Sequence, residues 1–403
     1  MKSPTLALTE PKRAKPFLHP LALALRPWLD RIAHGALSLR LPSGDLLEAR
    51  GGPGPEVSLV VNDWRALLRL LLKGGIGFAD AFVAGEWTTP DLVALLCFGA
   101  LNAPALAGIS GNPAHRLVSR LRHRLRGNTR RGSRRNIFSH YDLGNDFFSL
   151  WLDPTLLYSS ALFEVGAATL EEAQEHRLAH IVELLELRGG EKILEIGCGW
   201  GALALRLAQE GAGAVTGLTL SPAQLDFARK RCAGAPVELR LQDYRDVAGT
   251  FDRIVSIEMI EAVGEIFWPI YFGKIEQVLR PGGTALIQAI TIDETRFEAY
   301  RARPDFIQRH IFPGGFLPTK TAIAEQAARA GLNLVRTETF GLSYARTLAE
   351  WRARFEARWP EIAALGFDAG FRRLWTYYLC YCEAGFREGV TDVGFYLLQK
   401  PGA

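Results

Sequence analysis

The stretch EKILEIGCGWGALALRLAQEGAGAV, residues 191–215, constrains the fold more than any other part of the chain. It reads as a short apolar strand, a glycine turn and a helix, and the pattern repeats after it. KILEIGCG, AVTGLTLS, VELRLQDY, FDRIVSIEMI and TALIQAITI read as strands, while ALALRLAQEG, PAQLDFARKRC and WPIYFGKIEQVL read as helices. Alternation with short links predicts a doubly wound parallel sheet of the α/β class. In such sheets ligands bind beyond the carboxyl ends of the strands, where the glycine turn falls.

Gly197, Gly199 and Gly201 make this turn GxGxG. It is not the GxGxxG of dinucleotide sites, and no Lys-Ser/Thr follows as a phosphate-binding loop needs. The glycines let the backbone turn sharply and approach a ligand closely. Glu195 on the preceding strand suits a ligand amine, and Asp243 after the third strand suits an adenine amino group. LRPGG, Leu279 to Gly283, closes the last of these helices. Together these features resemble the class I S-adenosylmethionine (SAM) methyltransferases, which implies a Rossmann-like sheet and SAM as cofactor. The second strand ends GLTLS, without the acid that usually holds a ribose; Thr219, Ser221 and Gln224 stand there as hydrogen-bonding substitutes.

The N-terminal third predicts a smaller α+β domain. GALSLRLPSGDLLEARGG reads as two strands about a Pro-Ser-Gly-Asp turn and EVSLVV as a third. Asn62 or Asp63 caps the helix WRALLRLLLKGG, which stops at Gly74-Gly75. Leu92 to Ala114 is uncharged and long enough to cross a membrane, but Asn102, Pro104, Gly108, Gly111 and Pro113 interrupt it. A buried or membrane-surface helix followed by a loop is the expectation.

Net charge is only +4, yet nine arginines crowd into residues 116–135 with no acid between Leu92 and Tyr141. Such a run is either a solvated linker or a contact for a polyanion. No base-reading module accompanies it, so nucleic acid is set aside in favour of an anionic membrane surface. The expected boundaries are a lipid- or membrane-associating domain over 1–115, an arginine-rich linker over 116–135 and a catalytic domain over 136–403. Five irregularly spaced cysteines include Cys380 and Cys382, which fit neither a zinc knuckle nor a redox CxxC. They read as reduced thiols of a cytosolic protein, and the N-terminus has no clean signal-peptide pattern. His176 and His180 lie one helical turn apart without a third ligand, so no metal is expected.

Further segments carry a more specific resemblance: NIFSHYDLGNDFFSLWLDPTLLYSSALFE (136–164), LTLSPAQ, LQDYRD, EMIEAVG, FIQRHIFPGGFLPT, FGLSYARTLAEW and WTYYLCYCEAGF. In this order they resemble the cyclopropane-fatty-acyl-phospholipid synthase family. The resemblance implies a cytoplasmic enzyme at the inner membrane face that transfers the SAM methyl to a cis double bond of a phospholipid acyl chain, and a homodimer. An alkene is a poor nucleophile, so the electrophile must be held close and dry. The positive charge that follows suits aromatic faces. Tyr141, Phe147, Phe148, Trp151, Tyr158, Phe163, Trp268, Phe312, Phe316 and Tyr344 supply them, with core packing expected for all but three or four.

The family removes the last proton with a bound bicarbonate. Position by position, the resemblance puts that anion against Glu261, Tyr344, the residue at Gln288, and the backbone of Ser160 and Ile290, and assigns activity to Cys382. For SAM it points to Tyr158, Ser159, the Gly197–Gly201 turn, Thr219 to Gln224, and Gln242, Asp243 and Tyr244. Two positions depart from the family: Ser160 replaces a cysteine, and Gln288 replaces a histidine. Glutamine donates a hydrogen bond but carries no proton at neutral pH. Cyclopropanation is therefore the default expectation and a methyl- or methylene-branched product the alternative. A small-molecule N-methyltransferase and a non-catalytic lipid-binding protein are the competing classes. Glu258, three residues before Glu261, reads as a strand-end residue.

Overall fold

The computed structural model describes residues 19–106, 143–163 and 166–402. The arginine run, His140, Tyr141 and residues 107–114 of the apolar stretch lie outside them.

Two sheets organise the chain. The smaller comprises β1 (His34–Arg40), β2 (Leu46–Arg50), β3 (Gly52–Val61) and β4 (Trp87–Thr88), in the order β2-β1-β3-β4. β1 and β2 pair antiparallel about the Pro-Ser-Gly-Asp turn, and β3 joins β1 in parallel. Alternation along the strands turns Leu37, Leu39, Leu59 and Val61 to the buried face. Asp63 caps the Trp64–Lys73 helix, its carboxylate accepting from the Arg65 N–H. Gly74, at φ 62°, ends that helix, and the chain restarts at once as the helix Gly75–Val83.

The uncharged stretch begins as the helix Leu92–Leu101, which buries Val93, Leu95, Cys97 and Phe98 against β3 and the helix Ala369–Arg387. Asn102, which interrupts the apolar run, is almost wholly buried and fully used. Its Oδ1 accepts from the N–H groups of Ala33 and His34, and its amide donates to the carbonyls of His34 and Phe98. A buried amide with four partners carries no desolvation debt. Among the described residues no helix is long and apolar enough to cross a membrane.

The larger sheet comprises β5 (Lys192–Ile196), β6 (Ala214–Thr219), β7 (Val237–Leu241), β8 (Phe251–Ile257), β9 (Leu279–Ile292), β10 (Asn333–Thr339) and β11 (Thr391–Gln399). Its order is β10-β11-β9-β8-β5-β6-β7. β5 to β9 are parallel, as the alternation predicts. The sheet is not parallel throughout, because the C-terminal strand β11 inserts between β9 and β10 and runs antiparallel to both. Strand order reverses at β5, which has β6 on one side and β8 on the other, so a crevice opens beyond its carboxyl end.

The two sheets share packing. Leu39, Leu59 and Trp87 belong to the same buried cluster as Trp151, Trp351 and Trp375. Arg373 Nε donates to the Val83 carbonyl at 2.7 Å, and His310 Nε2 lies 3.0 Å from Asp80 Oδ1.

Candidate active site

A cavity of about 810 Å³ occupies the crevice, and the carboxyl ends of five strands reach it. Gly197 follows β5, Thr219 ends β6, Gln242 follows β7, Glu258 follows β8, and Ile290 lies near the end of β9. The glycine turn is pinned to β6: the N–H groups of Gly197 and Cys198 donate to the Leu218 carbonyl at 3.0 and 2.8 Å. Gly199, at φ 50°, lines the cavity, and a Cβ there would meet no atom within 4 Å. A side chain at this position would fill the cradle instead of the protein, so the cradle fits a ligand as SAM requires. Gly201 serves packing: its Cβ would lie 3.0 Å from Ala228 Cβ on the helix Pro222–Arg231.

Of the residues expected to hold SAM, Tyr158, Gly197, Gly199, Thr219, Gln224, Gln242 and Tyr244 line the cavity, whereas Ser159, Glu195, Gly201 and Asp243 do not. Glu195 is buried behind the turn, and burial pushes its carboxyl up to about 8, against the pull of Arg177 and the Ala204 N–H. Asp243 turns to its own neighbour: Oδ1 accepts from Arg245 Nε at 2.8 Å and Oδ2 from Nη2 at 2.6 Å. Thr219 Oγ1 donates to Gln224 Oε1 at 3.0 Å and accepts from the Ser221 N–H at 3.1 Å. The three residues that replace the missing acid thus form a self-bonded cluster at the end of β6.

The largest departure from the sequence reading is Glu258. The run FDRIVSIEMI does not continue as a strand: β8 stops at Ile257, and Glu258 takes a left-handed φ of 48° before the single turn Ile260–Ala262. A non-glycine residue in that region is uncommon and must be held by its surroundings. Here the Glu258 N–H donates to the Gln288 carbonyl at 2.7 Å on β9. Glu258 lines the cavity. Its Oε1 accepts from the Ser160 N–H at 2.8 Å and from Gln288 Nε2 at 2.7 Å, and its Oε2 accepts from the Tyr344 hydroxyl at 2.8 Å. A carboxylate offers about four lone-pair positions, so these donors leave roughly one.

These donors are the ones expected to hold bicarbonate. Ser160, Gln288 and Tyr344 all give their hydrogen bonds to Glu258, and the remaining one, the Ile290 N–H, donates to Glu261 Oε1. Ser160 and Gln288 are fully buried and do not line the cavity, whereas Tyr344, Ile290, Glu261 and Cys382 do. The residues present therefore do not fit a bound bicarbonate, because protein carboxylates occupy its donors.

The two glutamates are electrostatically distinct. Burial raises both, and Glu261, with Glu258 beside it and only backbone N–H groups to offset burial, is pushed up to about 8. Its Oε2 is buried without a partner. Glu258 has three donors and the nearby Arg177 guanidinium to counter burial. The donors around Glu258 favour its ionised form, and their scarcity around Glu261 favours its protonated form.

Arg177 lies on the helix Leu170–Leu185 and is almost wholly buried. Its Nη1 donates to Gln288 Oε1 at 3.2 Å and its Nε to Gln174 Oε1 at 3.1 Å. Gln174 in turn donates to the Ser159 carbonyl at 3.1 Å. Ser159, Gln174, Arg177, Gln288, Glu258 and Ser160 thereby close a ring of hydrogen bonds around the carboxylate. Sequence reading missed Arg177 and Gln174, and set Glu258 aside although its spacing from Glu261 was visible.

Of the nine aromatic candidates among the described residues, Tyr158, Phe312, Phe316 and Tyr344 line the cavity. Phe147, Phe148 and Trp151 are completely buried and pack on one another, as expected. Burial raises the Cys382 thiol, which keeps it protonated. Among the described residues there is no cluster of three metal-ligating side chains. His180 bridges Glu183 and Glu338 at 3.1 and 2.6 Å.

The sequence matches the family model of mycolic acid cyclopropane synthetase over residues 128–395. It is 40% identical over 400 residues to tuberculostearic acid methyltransferase UfaA1 of Mycobacterium tuberculosis, covering 95% of this chain and 93% of that protein. It is 37% identical over 325 residues to cyclopropane-fatty-acyl-phospholipid synthase of Escherichia coli, covering 79% and 81%. Among solved structures, mycolic acid cyclopropane synthase CmaA1 complexed with SAH and CTAB gives a TM-score of 0.63 at 33% identity, covering 66% of this chain and 98% of that one.

Proposed function

The chain belongs to the mycolic acid cyclopropane synthetase family and is a SAM-dependent methyltransferase, and from this premise we propose that it methylates a cis double bond in an unsaturated phospholipid acyl chain, with Glu258 as the base. Bound SAM supplies an electrophilic methyl group; the protein has to orient the alkene, keep water out and dispose of one proton.

The observation that carries this reading is the Glu258 carboxylate, held by Ser160, Gln288 and Tyr344 where an exchangeable anion was expected. Methylation of an alkene leaves one positive charge on the acyl chain, and a neutral product requires loss of one proton. Glu258 takes that proton on the lone pair its donors leave, and Gln288 and Tyr344 hold the carboxyl in place as it does so. The faces of Tyr158, Phe312 and Tyr344 and the charge of Glu258 stabilise the cation. Glu261, kept neutral by its surroundings, adds no second negative charge.

The product we favour is an open, methyl- or methylene-branched chain. Ring closure demands the proton of the transferred methyl group. A methyl-branched alkene forms by loss of a proton from a chain carbon beside the charge. A methylene branch forms by a 1,2-hydride shift to the cationic carbon followed by loss from the transferred methyl, so a carboxylate tied at three points has more than one proton to accept. The relative identical at 40% of positions is by name a methyltransferase, which supports this reading. The 37% identity to a cyclopropane-fatty-acyl-phospholipid synthase supports a ring as the second reading.

The site of action we propose is an anionic membrane surface. The arginine run in the sequence and the exposed Leu23, Leu68 and Leu72 of the N-terminal helices supply basic charge and apolar surface, a combination suited to reversible membrane binding.

The test is incubation of the protein with methyl-labelled SAM and vesicles of cis-monounsaturated phospholipid in bicarbonate-free buffer, followed by proton NMR of the released acids. Label in a vinylidene or methyl branch supports the proposal. High-field ring protons would move it to the cyclopropane reading, and an absolute need for added bicarbonate would remove Glu258 from its role.

A further inference from the structure

We infer that the N-terminal sheet-and-helix unit is the receptor for the methyl-terminal arm of the acyl chain, an inference that rests on the lipid-substrate reading above. The cavity does not end at the strand tips of the large sheet. It continues into the small unit, where the inward faces of β1 and β3 (Leu39, Leu59) and the helices Trp64–Lys73 and Leu92–Leu101 (Leu67, Phe98) form its wall. A sheet face and two helices would ordinarily close on each other at crystal-like density, and an apolar void left unfilled costs stability in proportion to its volume. A space of this kind, continuous with a reaction site, is suited to an apolar occupant.

The distribution of charge decides which end of the lipid enters. Among the described residues, none that the N-terminal unit contributes to the lining is charged. The charged lining residues among those described, Glu258, Glu261, Arg296 and Asp305, all belong to the part of the chain that builds the large sheet. Arg296, the nearest to the boundary, donates from Nη2 to the Ala100 carbonyl at 3.2 Å. A phosphate headgroup buried in the small unit would lose its hydration with no charged partner, at prohibitive cost. A hydrocarbon end gains with every methylene it buries. The arm beyond the double bond, which ends in a methyl group, therefore lodges here, and the carboxyl arm with its headgroup leaves by another route.

Two glycines make the assignment testable. Gly99 on the helix Leu92–Leu101 and Gly75 at the start of the helix Gly75–Val83 both line this arm. A Cβ at either would meet nothing within 4 Å, and neither has a left-handed φ. Both positions have open space beside the lining of this arm, so larger side chains there are expected to narrow it and leave the fold alone.

Gly99→Phe and Gly75→Phe, on separate helices, are assayed with unmutated protein on two series of vesicle phospholipids. In one the carboxyl-side length is constant and the methyl side grows; in the other the methyl side is constant and the carboxyl side grows. Each variant is expected to lose turnover of the longest methyl arm by about tenfold or more relative to the shortest, since one methylene in an apolar pocket is worth about that much. The carboxyl series and SAM affinity should not move. Equal loss in both series, or none in either from two folded variants, overturns the inference while leaving the substrate reading intact. Absence of label in every lipid with the unmutated protein overturns both.

Discussion

The side-chain amide of Gln288 donates to Glu258 Oε1 at 2.7 Å, and the backbone N–H of Glu258 donates to the Gln288 carbonyl at the same distance. Arg177 Nη1 occupies the amide oxygen of Gln288, so the amide has one orientation and can only donate toward Glu258. Glutamine carries no proton at neutral pH, and on the proposed reading the adjoining carboxylate is the base.

Removing the carboxylate should expose the anion site that it fills. Glu258→Ala is expected to lose turnover by about 10²–10⁴, the usual worth of a positioned base. Because Ser160, Gln288 and Tyr344 then have no acceptor, added bicarbonate should restore part of the rate. Glu258→Gln, which fills the space without basicity, should be equally slow and insensitive to bicarbonate. Rates of methyl transfer to vesicles with and without bicarbonate check both; rescue of neither alanine nor glutamine would mean that the donors do not form an anion site.

Tyr344→Phe should move the acid limb of the pH–rate profile upward. The hydroxyl bonds to the ionised form of Glu258 and so lowers its pKa against the raising effect of burial. Without it the carboxyl holds its proton to higher pH, and activity that needs the base appears only at higher pH. An unshifted limb with reduced rate throughout would assign Tyr344 to substrate contact alone.

Arg177 acts through Gln288. Arg177→Met leaves the side-chain oxygens of Gln288 and Gln174 buried without their donor, a loss of about 1–3 kcal/mol for each. With the amide free to flip, kcat should fall more than SAM affinity, and the melting temperature should drop. Arg177→Lys keeps the charge but not the planar fork that spans both oxygens, so it should lie between. Calorimetry for SAM binding beside turnover separates this positioning role from a loss of fold, which would lower both together.

Glu195 predicts a pH-dependent stability. Its folded pKa, about 8, lies above that of the unfolded chain, so the folded form keeps a proton that the unfolded form has released. Stability should therefore fall as pH rises from the ordinary carboxylate range toward 8, and no such loss exists below that range. Glu195→Gln, which can still accept from the Ala204 N–H, should melt higher than the unmutated protein near pH 8 and alike at acid pH. A gain of equal size at both would trace the effect to packing.

Much of the catalytic half was legible in the sequence because its signals are local. The strand–turn–helix of residues 191–215, the alternation through β9 and the cap at Asp63 each depend on residues a few positions apart, where periodicity and turn chemistry act. The glycine cradle, Glu261, Tyr344 and Ile290 were likewise found from motifs and lie on one cavity. The mixed edge of the large sheet was not legible, because β11 meets β9 across about a hundred intervening residues.

The role of Glu258 was decided at the same long range. By itself the sequence determined that two acids stand three residues apart after an apolar strand. Tertiary structure decided what each does. The chain breaks into a left-handed residue at Glu258, Gln288 arrives from β9, Ser160 from a loop and Tyr344 from the helix Gly341–Ala357, and all three donors converge on one carboxylate. The protonation of a buried acid depends on the sum of desolvation and donors around it, and those come from segments that only folding brings within 3 Å.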